Sequence, residues 1–153
     1  MSGGIPAVMV VSVAEAAAAV ALRGPRGVLL LSAEGAAGFL GPLGWRALLR
    51  EAAADDVPDA LCCGAAPGDA LMALRAGCRR VVLDGRHPSF ARVAAAAAEI
   101  GAVVLPARPP ALEVRRLDLR RAGARAILAT WLTGTGQAAT PATTDQRNDE
   151  PCA

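Results

Sequence analysis

Residues 73–90 read A-L-R-A-G-C-R-R-V-V-L-D-G-R-H-P-S-F. A helical stripe of Leu71, Leu74 and Cys78 ends just past Ala76-Gly77, and a strand predicted at 80–83 follows, apolar on consecutive positions from Val81 to Leu83. Asp84-Gly85 is a turn, and Pro88-Ser89 opens a second helix, with Ser89 placed to cap it. Its Phe90, Val93, Ala94, Ala97 and Ile100 share one stripe, with Arg92 and Glu99 outside it. A strand that is apolar residue after residue, set between two amphipathic helices, is buried on both faces. That is the mark of a parallel sheet in a β/α fold.

The same grammar extends in both directions. Strands are predicted at 7–11, 27–31, 59–63, 80–83 and 102–105. The helix between the first two, 13–22, is mostly alanine and should pack close to its neighbours. Trp45, Leu48, Leu49 and Ala52 form the stripe of another helix, and Pro67-Gly68-Asp69 opens a further one, with Asp69 as a candidate cap. A last helix over 117–132 carries Leu117, Ala124, Ile127, Leu128, Trp131 and Leu132 inward. The fold class is therefore α/β, with about five parallel strands in right-handed βαβ units. Two architectures satisfy the pattern: an open three-layer sheet or an incomplete barrel. Residues 1–132 make a single domain, and the polar stretch 133–153 is expected to be a disordered tail. The glycine-rich segment 35–45 is expected to be a flexible loop over the strand ends.

The chain has 153 residues and a formal net charge of +2, too small to argue for a nucleic-acid partner. All 16 basic residues are arginine, as GC-rich coding favours. The absence of lysine removes Schiff-base and pyridoxal-phosphate chemistry and the Walker-type phosphate lysine. Arg108, Arg115, Arg116, Arg120, Arg121 and Arg125 cluster late in the chain and read as the solvated face of a helix. The apolar runs fall short of the ~20 residues that span a bilayer, and no basic segment precedes the apolar start. The expectation is a cytoplasmic protein without a membrane partner, its four cysteines reduced.

Three stretches, in order, resemble the class II, metal-dependent fructose-bisphosphate and tagatose-bisphosphate aldolases. Residues 18–39 are similar to that family's helix, second strand and Ser-Glu-Gly-Ala-Ala loop, with Ala33 inserted. D-A-L-C-C-G at 59–64 falls where the family's third strand ends in Asp-His-Gly. Residues 73–90 resemble its Ala-Gly, strand, Asp-Gly block, and G-A-V-V-L at 101–105 its fifth strand. The resemblance covers about residues 7–108 and implies the front half of a TIM-type barrel.

The chemistry that the resemblance implies is largely replaced. Cys62 stands on the acid/base aspartate, Cys63 on a zinc-ligating histidine, and Leu105 and Ala107 on the fifth strand's glutamates. Ser32, Glu34, Gly35, Gly64 and Gly85 remain as candidate ligand-binding positions. Cys62, Asp84 and His87 are the candidate catalytic residues, and Cys63 with His87 the candidate zinc ligands. One histidine and two adjacent cysteines do not make a Lewis-acid site, since neighbours on a strand point to opposite faces. No cofactor is expected, zinc being the alternative. The expectation is a diverged, catalytically inactive aldolase-like half-barrel that holds a small phosphorylated ligand. The alternatives are a scaffold that keeps only the fold, or a lyase completed by a partner's residues. Half a barrel exposes two strand edges and an apolar inner face. A homodimer, a complementary half-barrel or the last helix would cover them.

Overall fold

In the computed structural model, residues 4–134 are described. Six short strands alternate with helices: β1 (Ala7–Met9), α1 (Val13–Ala21), β2 (Leu29–Leu31), α2 (Ala36–Phe39), α3 (Gly41–Glu51), β3 (Asp59–Cys62), α4 (Pro67–Arg75), β4 (Arg80–Val82), α5 (Phe90–Glu99), β5 (Val103–Leu105), β6 (Ala111–Glu113) and α6 (Ala122–Thr133). A 3-10 turn, Val114–Arg116, follows β6. All strands are parallel, in the order β5-β4-β3-β2-β1-β6. The α/β class and the parallel sheet stand as the sequence predicts.

The helices all lie against one face of the sheet. Val8, Val28, Leu30, Leu61, Val81, Leu83 and Val104 point toward them, and every helix buries its apolar residues in that same cluster. The opposite face carries Ala7, Leu29, Leu31, Ala60, Cys62 and Val82, with Leu105 and Ala111 beside them and no helix residue among them. Those six are nevertheless buried. An open three-layer sheet would need helices on that second face, so the sheet must curl to cover it.

Loop length gives the same answer. A flat six-strand sheet would separate β5 from β6 by about 24 Å. The segment from Leu105 to Ala111 reaches at most about 21 Å when fully extended, and it must also return from the top of one parallel strand to the foot of the next. The two edges are therefore brought toward each other in a partial barrel. Its inner apolar face, which sequence reasoning leaves for a second chain or the last helix to cover, is buried within the single chain.

β6 is the element that the sequence pattern misses. It has three residues, ends in a glutamate and starts just after Pro109-Pro110. A proline before the first residue of an edge strand removes no ladder hydrogen bond. The strand pairs with β1, Ala7 opposite Ala111, and closes the edge that five strands would leave open. It also delays the last helix, which begins at Ala122 and not near 117. Leu128 and Leu132 are fully buried as expected, whereas Ile127 is exposed.

The glycine-rich segment 35–45 is helical, not a loop. Gly35 and Gly41 take left-handed φ values of 65° and 73° at the starts of α2 and α3, which an L side chain would resist. Helix starts elsewhere use different devices. Ser12 Oγ accepts from the Glu15 N–H at 3.2 Å, and Glu15 Oε2 accepts from the Val11 N–H at 2.7 Å, a variant of the capping box in which the glutamate reaches one residue beyond the cap. Asp69 sits inside the first turn of α4 and does not cap it, since Ala66 holds the cap position. Of the predicted tail 133–153, Thr133 is still the last residue of α6 and Gly134 its cap, and the rest lies outside the described residues.

Candidate functional site

Four loops meet at the C-terminal ends of β2, β3, β4 and β5, the end at which parallel β/α folds hold ligands. They line an open cavity of about 750 Å³. Glu34 comes from the β2 loop, Gly64 and Ala65 from the β3 loop, and Asp84, Gly85 and Arg86 from the β4 loop. Pro106, Ala107 and Arg108 come from the segment after β5, with Cys62 and Val82 from the inner sheet face.

Two close approaches shape this space. Gly85 donates its N–H to the Pro106 carbonyl at 2.9 Å, and a Cβ at Gly85 would lie 2.7 Å from Pro106 Cβ. Only glycine lets the β5 exit lie this close to the β4 loop. The second is Arg108, whose Nη1 donates to the Ser32 carbonyl at 3.0 Å. That bond ties the segment crossing from β5 to β6 onto the end of β2.

Among the residues that sequence reasoning selects, the structure brings Glu34, Cys62, Gly64, Asp84 and Gly85 to the cavity wall. Ser32 is fully buried behind it. Its Oγ accepts from the Cys62 N–H at 2.8 Å and donates to the Ala33 carbonyl at 3.0 Å, so it braces β2 against β3. Gly35 serves the entry to α2 and lies close to Gly64.

His87 lies outside the lining. Its Nδ1 accepts from the Ser89 N–H at 3.1 Å, and its carbonyl accepts from the Phe90 N–H at 2.9 Å. Ser89 occupies the cap position of α5 without a capping side-chain bond, and the imidazole does that local work instead.

The cysteine pair divides as strand geometry demands. Cys62 faces inward to the cavity, and Cys63 faces the helices. Burial pushes the Cys63 thiol up to about 12, with further upward pressure from Cys62, Asp69 and Cys78. Such a sulfur is a protonated core group, neither a thiolate ligand nor a nucleophile. With Cys63 turned away and His87 engaged in the α5 turn, the donor set does not fit zinc. No group of three or more His, Cys, Asp and Glu side chains able to hold a metal ion forms among the described residues.

Asp84 is bound to its neighbour. Its two oxygens accept from Arg86 Nε at 3.1 Å, Arg86 Nη2 at 2.9 Å and the Arg86 N–H at 2.9 Å. The arginine's side-chain and backbone hydrogen bonds hold the carboxyl down at about 2. A carboxylate so held is a poor proton acceptor near neutral pH, where a general base needs a matched pKa.

No family model matches the chain, and no curated protein matches it.

Sequence reasoning also leaves out part of the wall. Arg108 reads as one of a solvated arginine cluster, yet it is half-buried and lines the cavity. It makes no ion pair among the described residues, unlike Arg115 and Arg116 with Glu113, or Arg120 and Arg121 with Asp118. The signal that would have found it is its position: it stands three residues beyond a strand's C-terminal end, before the ion-paired arginines, which lie in the 3-10 turn and the approach to α6 and not on a helix face as predicted. Glu34, which shares the wall with the charged side chains of Asp84, Arg86 and Arg108, is exposed and makes no hydrogen bond or ion pair among the described residues.

Proposed function

We propose that this chain is a non-catalytic binding module, a diverged relative of the class II aldolases that holds a small phosphorylated ligand in its strand-end cavity. The observation that supports the reading is Arg108. It is a half-buried guanidinium at a cavity wall, with one hydrogen bond to a carbonyl and no carboxylate partner among the described residues. A planar fork of five donors with one in use suits a phosphate oxygen pair. The N–H groups of Gly64 and Ala65, on the same wall, donate to no described residue and add neutral donors. Against catalysis stand the locked Asp84, the outward-facing Cys63 and the structural use of His87.

Titration calorimetry with glucose 6-phosphate and with glucose tests this. The phosphate should bind and the free sugar should not, and Arg108→Met should weaken the phosphate by about tenfold or more, the usual loss for a charged hydrogen bond. Binding that ignores the phosphate, or is untouched in Arg108→Met, would sink the reading.

A second reading, an interaction module, is favoured by one observation. Phe39 and Leu43 at the α2–α3 junction are 73% and 75% exposed, with Leu40 between them. Apolar groups that open to water commonly mark a contact surface. A second copy of the chain would make this a homodimer in the cytoplasm. The inner face of the sheet does not call for a partner. A complementary half-barrel, or a lyase completed by partner residues, would have to seat on the β5 or β6 edge. No helix of the described residues is long and apolar enough to cross a membrane.

A further inference from the structure

We propose that the cavity selects a zwitterionic ligand, a phosphorylated compound that also carries a protonated amine, with the phosphate on Arg108 and the amine on Glu34. This rests on the phosphate-binding reading above and narrows it. Four charged side chains line the cavity: Glu34, Asp84, Arg86 and Arg108. Asp84 and Arg86 satisfy each other through their three hydrogen bonds. That leaves one acid and one base open.

Glu34 and Arg108 are near each other yet do not pair. Arg108 Nη1 bonds to the carbonyl of Ser32, two residues before Glu34. Two chain steps keep the Ser32 and Glu34 Cα atoms within about 7 Å. Even so, no guanidinium–carboxylate contact within ion-pair distance forms between Glu34 and Arg108. The β2 loop and the β5 exit thus present opposite charges to one cavity with space between them. The carbonyl of Ser32 holds the arginine end of that gap in place.

Charge decides which ligand fits that gap. The four side chains sum to zero, so a phosphate alone would place its negative charge beside an uncompensated Glu34. A hydroxyl could donate to Glu34 but would leave that repulsion in place. An ammonium neutralises it, and the ligand then mirrors the wall, negative to positive and positive to negative. Between the two charged ends, Cys62, Val82, Pro106 and Ala107 offer an apolar floor for a carbon skeleton, and a cavity of this size holds a small metabolite.

Glucosamine 6-phosphate and glucose 6-phosphate differ only in an ammonium for a hydroxyl, so they are the probes. Calorimetry on the full chain should show the aminated sugar phosphate binding about fivefold tighter, the scale of an exposed charge pair. Glu34→Gln should abolish that preference by weakening the aminated probe while leaving or tightening the other. Equal affinities in the unaltered chain, or a preference that survives Glu34→Gln, would overturn the zwitterion assignment and leave phosphate binding standing. Failure of both probes to bind would overturn the two readings together. Glu34 is exposed and unpartnered among the described residues, so its variant should fold, and a thermal melt checks that it does.

Discussion

Arg108 and Ser32 lie 76 residues apart in sequence and are joined by one hydrogen bond of 3.0 Å, guanidinium to carbonyl. The bond holds the segment that crosses from one sheet edge toward the other, and it fixes the free donors of the guanidinium at the cavity wall. Stability and binding are therefore tied to the same side chain. Arg108→Lys keeps the charge but loses the fork that lets one side chain bond the carbonyl and a ligand together. We expect it to retain a melting temperature within a few degrees of the parent and to lose more than half of the phosphate affinity. Equal losses in Arg108→Lys and Arg108→Met would mean that charge has no part in binding.

Gly85 is a packing requirement. A methyl group there meets Pro106 Cβ at 2.7 Å and the Pro106 carbonyl oxygen at 3.3 Å, and neither is the end of a flexible side chain. Gly85→Ala should destabilise by about 1–3 kcal/mol, the usual cost of overpacking. Denaturant unfolding measures it, and an unchanged midpoint would show that the β5 exit moves aside freely.

How much of this was legible in the sequence depends on what each residue's neighbours were. Strands β1 to β5 are written in runs such as Val81-Val82-Leu83, because burial on both faces demands apolar residues at every position. β6 is written in Ala111-Leu112-Glu113, three half-buried residues on an edge, and no pattern survives at that length. The site was half legible. Glu34, Cys62, Gly64, Asp84 and Gly85 come from the motifs of the resemblance, and all five stand at or just beyond strand ends. Which of two adjacent cysteines faces inward depends on register. That Asp84 is locked depends on Arg86 folding back over two residues. The part played by Arg108 depends on a contact 76 residues away, which local pattern does not carry.

Asp59 tests the opposite end of the sheet. Burial raises its carboxyl above the ordinary value, opposed by the Trp45 Nε1–H bond at 2.7 Å and by Arg46 and Arg80. A group whose pKa is raised on folding binds more protons in the folded state. The contribution of Asp59 to stability is therefore greatest at low pH, and it falls as pH rises from the unfolded value through the raised folded one. Asp59→Asn keeps an acceptor for the indole and has no charge to desolvate. It should remove this downward slope from the stability–pH curve and be neutral or slightly stabilising at pH 7. Trp45→Phe should cost more than 1 kcal/mol at pH 7, because it strands a partly buried carboxylate. If Asp59→Asn is the more damaging of the two at pH 7, charge and not the hydrogen bond holds this corner.

The thiols supply the last test, since they report which face of the sheet each one sees. Cys63 and Cys78 are buried, and burial pushes their thiols up to about 12 and about 11. At pH 8 almost no thiolate exists at either position, and the reagent has no path to them in the folded state. Cys62 is equally covered, but it lies against the cavity, so ligand and reagent reach it from the same side. Alkylation with iodoacetamide at pH 8, mapped residue by residue by mass spectrometry, should modify Cys62 ahead of Cys63 and Cys78. Glucose 6-phosphate should slow the Cys62 reaction, and denaturant should equalise all three. Native-state labelling of Cys63 as fast as Cys62 would mean that the helix-facing core opens as readily as the cavity, and the division between the two faces of the sheet would fall with it.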